Sequence, residues 1–226
     1  MVPLPEKGTI VLLHDYARQK EFMVPWGMFL AQAGYRVVVV DLRGHGASTG
    51  QIISYGKYET ADLSQMLDYL KKQGIGKGKV GVLGVGYGGQ LALQWAARDP
   101  RVGAIVAIAP YARLESVFEI MAEHMKTPIA PKTLHKAIDG AAERLDIKWA
   151  DWSGEAAVRR LKQPVLFIGS DKDVLVKPDD LTILGQAAPP GSSTLKVIGI
   201  SHRGIPYLFH EIGEPIKTWF VEHSAG

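Results

Sequence analysis

The sequence predicts an α/β domain, a mostly parallel sheet of about six strands with helices on both faces, running as one unit over residues 1–226. Two observations carry this. Short β-branched runs alternate with longer amphipathic segments along the chain, the pattern of strands buried on both sides. Strong helix stops at Gly34, Gly74 and Asp99-Pro100 punctuate the alternation. A chain of 226 residues with 46% hydrophobic content can also bury one substantial core.

Taken in order, Thr9–Leu13 reads as the first strand, and the segment Glu21–Ala33 as a helix closed by Gly34. Tyr35–Asp41, with four consecutive valines, is the second strand; Tyr55–Gln73 is a helix ended by Gly74. Lys79–Gly84 leads through a glycine-rich turn into the helix Tyr87–Arg98. Strands Gly103–Ala109, Pro164–Gly169 and Thr194–Ile198 follow, with helices over Pro178–Ala187 and Ile205–Glu222. Between Pro110 and Pro164 lie about 50 residues without a strand, more than an ordinary crossover needs. Helical patterns there, at Leu114–Met125, Lys132–Leu145 and Glu155–Leu161, predict a small helical cap at about 111–160 over the carboxyl edge of the sheet. Its apolar residues Phe118, Met121, Met125, Trp149 and Trp152 are candidates for a pocket lining, or simply hold the cap to the body.

Composition removes several functions. The net charge is +3 and the pI about 9.0, but Lys and Arg are scattered, without an Arg-rich helix or aromatic-interleaved basic strip, so no nucleic-acid partner is expected. The absence of cysteine excludes disulfides, a thiol nucleophile and Cys-ligated metal. Met1–Lys7 lacks the basic and apolar regions of a signal peptide, and the longest apolar runs, Tyr35–Val40 and Ala104–Pro110, are strand-length. No membrane partner and a cytoplasmic location are the resulting expectations. No His-x-x-x-His or carboxylate cluster stands at metal-ligand spacing, so neither metal nor cofactor is expected.

Four strand ends carry the chemistry. His14-Asp15-Tyr16 follows the first strand, and Asp41-Leu42-Arg43-Gly44-His45-Gly46-Ala47-Ser48 leaves the second. Gly84-Val85-Gly86-Tyr87-Gly88 follows the third; it has the frame of a G-x-S-x-G nucleophile elbow with glycine where the serine belongs. Gly169-Ser170-Asp171-Lys172-Asp173 and Ser201-His202-Arg203-Gly204 follow the last two strands, an acid and then a histidine.

These motifs, in this order and over nearly the whole chain, resemble the α/β-hydrolase family, nearest its small carboxylesterase and acyl-peptidase-like branch. The resemblance implies a serine-type triad at Gly86 (serine absent), Asp173 and His202, with Asp171 a weaker match for the acid. It implies an oxyanion hole from the backbone N–H groups of Tyr16 and Tyr87, a structural bracing role for the loop holding His45 and Ser48, and a small-molecule acyl ester as substrate. Phe118, Met121, Met125 and Trp149 would line the substrate site. It also implies that the two leading strands of larger relatives are absent here. Asp15 departs from the family's usual glycine; pointing inward it opposes the oxyanion hole, pointing outward it is harmless. Three readings follow from the missing serine: an inactive or weakened esterase, a non-catalytic protein binding a small molecule or protein partner, or slow attack by water activated by His202.

Overall fold

The computed structural model describes residues 7–124 and 129–223. Six parallel strands form one sheet in the order β2-β1-β3-β4-β5-β6: β1 Thr9–Leu13, β2 Arg36–Val40, β3 Val80–Val85, β4 Val102–Ile108, β5 Val165–Ser170 and β6 Ser193–Val197. The helices are α1 Val24–Gln32, α2 Lys57–Lys72, α3 Tyr87–Ala96, α4 Leu114–His124, α5 Pro131–Leu145, α6 Gly154–Val158, α7 Pro178–Ala187 and α8 Phe209–His223.

Period-two alternation splits each buried strand between two cores. Val11, Leu13, Val82, Ile105 and Phe167 face a cluster with Leu63 and Leu67 of α2, Leu91 and Trp95 of α3 and Leu184 of α7. Ile10, Leu12, Leu83, Val106 and Ile168 face Trp26 and Leu30 of α1 and Ile212, Ile216 and Phe220 of α8. Two predicted helices are shorter than the sequence pattern suggests, for physical reasons. Residues Lys20–Met23 form a 3-10 turn before α1, and Pro25, which lacks an N–H and is favoured in a helix's first turn, stands at the start of α1. Ile205–Tyr207 is likewise a 3-10 turn separate from α8, and the Trp26 indole N–H donates to the Pro206 carbonyl (2.9 Å).

From β1 the chain crosses by α1 to β2 on one side; from β3 it crosses by α3 to β4 on the other. The loops leaving β1 and β3 therefore diverge, opening a crevice at the carboxyl ends of these adjacent strands, where open α/β sheets bind ligands. Above it, Tyr111, Leu114 and Ile138 join Trp149 and Val176 in a third apolar cluster, which seats α4 and α5 over the crevice. Among the described residues no helix is long and apolar enough to cross a membrane.

Candidate active site

The turn between β3 and α3 is as tight as its glycines suggest. A Cβ on Gly84 would overlap the Gly88 carbonyl, and one on Gly88 would overlap the Leu13 and His14 carbonyls of the neighbouring strand end. Helix α3 can therefore start directly against β1 only because both positions lack side chains. Gly86, with φ +53° and ψ −113°, stands at the apex as the N-cap of α3. The α3 N-terminus presents the Tyr87 N–H toward the β1 turn, and that N–H donates to Asp15 Oδ1 at 2.9 Å.

Asp15 points inward. The same Oδ1 also accepts the N–H of Tyr16 at 2.7 Å, so the two backbone donors that the family resemblance assigns to an oxyanion hole converge on Asp15's own carboxylate. A Cβ at Gly86 would overlap that oxygen. The carboxylate thus lies where a serine at position 86 would project. Its other oxygen, Oδ2, is 3.4 Å from His202 Nε2.

The turn that carries Asp15 is clamped by two imidazoles. His14 Nδ1 donates to the Asp15 carbonyl (2.8 Å) while its Nε2 accepts the Leu42 N–H (3.0 Å). Burial lowers the pKa of His14, which suits this acceptor role. His45 Nδ1 donates to the Arg43 carbonyl (2.8 Å) and its Nε2 accepts the Ala17 N–H (3.2 Å). Asp41 accepts the Lys20 N–H and the Lys20 ammonium (2.7 and 2.6 Å), and Ser48 Oγ donates to the Asp41 carbonyl. The loop after β2 therefore holds the β1 turn.

Asp173 and His202 meet although 29 positions apart: His202 Nδ1–H donates to Asp173 Oδ2 at 2.7 Å. Asp173 Oδ1 accepts the N–H groups of Leu175 and Val176 (2.9 and 2.8 Å), which leaves its second oxygen for the imidazole. Asp171 is turned away, its Oδ1 accepting the Gly199 N–H at 2.7 Å. His202 is only 8% exposed. That burial works against its charge, but hydrogen bonds and Coulomb attraction from Asp15 and Asp173 outweigh it and raise its pKa to about 9. Burial likewise opposes the charge on Asp15, yet His202 and the Tyr87 and Tyr16 N–H groups hold its pKa below the usual carboxylate range. His202 thus lies between the carboxyl groups of Asp15 and Asp173, which favour its charged form and oppose its acting as a free base for water.

These groups border a cavity of about 460 Å³. Gly86, Tyr87, Asp15, Tyr16 and His202 form its floor, and Leu114, Val117, Phe118 and Met121 of α4 form the opposite wall. Met125 lies outside the described residues. Trp149 is placed behind the wall: it is buried, its indole N–H donates to the Ile138 carbonyl (3.1 Å), and its ring packs on Tyr55 and Phe118. Its large apolar surface serves the core of the overlying helices, which corrects the expectation that it lines the pocket. The position in the wall goes to Tyr55, whose ring meets those of Tyr16, Tyr87, Phe118 and Trp149 at centroid distances of 6.2, 5.6, 5.3 and 6.3 Å. Tyr55 has φ +53°, a left-handed conformation rare for a bulky residue and a mark of local strain. Sequence reading missed it because Tyr55 stands where a helix start was expected; Gly56, directly before α2, was the available signal. Among the described residues no group of three or more His, Asp or Glu side chains is arranged to hold a metal ion.

Residues 7–124 match the family model described as X-Pro dipeptidyl-peptidase (S15 family). YqkD of Bacillus subtilis (strain 168), a protein described as uncharacterized, is 26% identical over 180 residues, covering 76% of this chain and 57% of that protein. A cocaine esterase of Rhodococcus sp. is 40% identical over 77 residues, 34% of this chain and 13% of the enzyme. The chain spans little more than half the length of the curated relatives that match most of it. Among solved structures, the esterase Pf2001 of Pyrococcus furiosus superposes with a TM-score of 0.78 at 19% identity, covering 97% of this chain and 84% of that one, a likeness of fold.

Proposed function

This chain belongs to the X-Pro dipeptidyl-peptidase (S15) family within the α/β-hydrolases, and from that footing we propose that its serine-dependent ester hydrolysis is switched off. One observation carries the reading. Asp15 Oδ1 occupies the point on which the Tyr16 and Tyr87 N–H groups converge, and fills the space a serine at 86 would need. Two functions are blocked together: no side-chain oxygen at 86 attacks a carbonyl, and no substrate oxyanion reaches the two donors. A carboxylate there would also repel developing negative charge. The acid and base remain as Asp173 and His202, and the small-molecule acyl ester is the ligand class for which the scaffold is suited.

Restoring activity therefore requires two changes. Parent, Gly86→Ser, Asp15→Gly and the double variant are compared on p-nitrophenyl acetate and octanoate. The parent and both single variants are expected to stay near background. The double variant is expected to exceed the parent by roughly a thousandfold or more, and His202→Ala added to it to abolish the gain. Ester turnover by the parent at the double variant's rate would overturn the reading. A second reading, a protein that binds a small molecule without catalysis, is favoured by the open aromatic cavity itself. It would be supported by a small molecule retained through purification and released on denaturation.

A further inference from the structure

We propose that Asp15 is a nucleophile: its carboxylate opens an epoxide bound in the cavity, and the site then hydrolyses the resulting Asp15 ester to release a diol. This rests on the reading that serine-dependent ester hydrolysis is lost. It adds a reaction that the same residues can perform.

The position of Oδ1 is the first support. In an ester formed through Oδ2, Oδ1 becomes the carbonyl oxygen, and it already receives the Tyr16 and Tyr87 N–H groups at 2.7 and 2.9 Å. When water adds to Cγ, negative charge develops on Oδ1, where both donors wait. The acyl centre served by these donors is thus Asp15's own. A substrate attacked at a saturated carbon needs no oxyanion hole for itself, whereas a substrate ester does.

The neighbours of Oδ2 are the second support. The two backbone N–H groups both go to Oδ1, whereas Oδ2 faces His202 Nε2 at 3.4 Å, and the Asp15 side chain is 22% exposed in the cavity floor. Carboxylates are established covalent nucleophiles when held in this way. The third support is steric. Asp15 replaces the family's glycine and Gly86 its serine, and the missing Cβ at 86 is what admits the carboxylate. The two departures fit each other, while Asp173 and His202 keep their hydrogen bond.

The protons balance. Oδ2 attacks a ring carbon, the C–O bond of the ring breaks, and the ring oxygen takes the Nε2 proton of the His202 imidazolium. His202 is then neutral, and Asp15, now an ester, no longer stabilises its charge. It accepts a proton from water as the hydroxide adds to Cγ. Collapse of the tetrahedral species breaks the Cγ–O bond to the alkyl group, and the departing oxygen takes that proton back. The carboxylic acid left on Asp15 returns its proton to His202, restoring the starting state. The sum is epoxide plus water to diol. The epoxide's ring oxygen takes the Nε2 proton directly, so the first step itself prepares the base for the second. Leu114, Val117, Phe118, Met121 and Leu175 suit an apolar substituent, and styrene oxide is the probe of choice.

The test is a single turnover of the parent protein, in excess over styrene oxide, in ¹⁸O-water. Diol carrying only ¹⁶O at first turnover, with ¹⁸O then found in the peptide containing Asp15, is the expected result. Asp15→Asn, which keeps the side chain's size, is expected to lower diol formation about a thousandfold or more while retaining the parent's circular dichroism. Label in the first-turnover diol but not in Asp15 would mean direct water attack and overturn the proposal. So would no diol and no protein adduct by intact mass after prolonged incubation. If epoxide chemistry fails while the parent is also inert to p-nitrophenyl esters, this proposal alone falls; if the parent hydrolyses those esters, the underlying reading falls.

Discussion

Replacing Asp15 by Asn should lower the pKa of His202 and change how stability depends on pH. In the parent, His202 is raised from 6.5 to about 9, a preference for the imidazolium of about 3 kcal/mol shared between two carboxylates. Asp173 bonds Nδ1 at 2.7 Å and Asp15 lies 3.4 Å from Nε2. One opposite charge at such a distance moves a pKa by roughly one to three, so Asp15→Asn should bring His202 from about 9 to about 6 to 8. Because the folded pKa exceeds the unfolded one, the stabilisation is fully present below 6.5 and is lost as pH rises through about 9. Asp15 itself, with its folded pKa depressed, keeps its share only above 3.8. Parent and variant should therefore differ by about 2 kcal/mol near pH 5 to 6, and the gap should close above pH 9. Imidazole NMR titration, with His202 assigned by its disappearance in His202→Gln, reads the first quantity; urea denaturation at several pH values reads the second. A parent His202 titrating at or below 6.5, or one unmoved by Asp15→Asn, would refute the charge arrangement described.

Two further outcomes test the scaffold. Gly88→Ala should destabilise the protein by more than about 3 kcal/mol, seen as a large fall in Tm, since its Cβ would overlap the Leu13 and His14 carbonyls where neither backbone can yield. Asp99→Asn should cost about 1–2 kcal/mol at pH 7 by urea denaturation, because Arg101 and Ser64 outweigh the opposing burial and hold the carboxyl at about 2. The folded pKa being depressed, that cost should vanish as pH falls from about 4 through 2.

The local sequence determined the sheet, its helices and the location of the site. Strand-length apolar runs such as Ala104–Ile108 can be buried on both faces only in a covered sheet, and glycines at 84, 86 and 88 around a strand end imply a turn too tight for side chains. The acid and histidine were legible because each follows a strand, and parallel strands deliver their carboxyl ends to one edge. Tertiary structure alone decided what the site contains. Asp15 suits a turn whether its side chain points out or in; the choice is made by the Tyr87 N–H, 72 positions away, and by His202 beyond it. Tyr55 likewise lines the cavity with Trp149 packed behind it, because which aromatic faces a cavity depends on how helices from distant parts of the chain stack on one another. Periodicity assigns a face to each residue within its own element; what that face meets is set by elements remote in sequence.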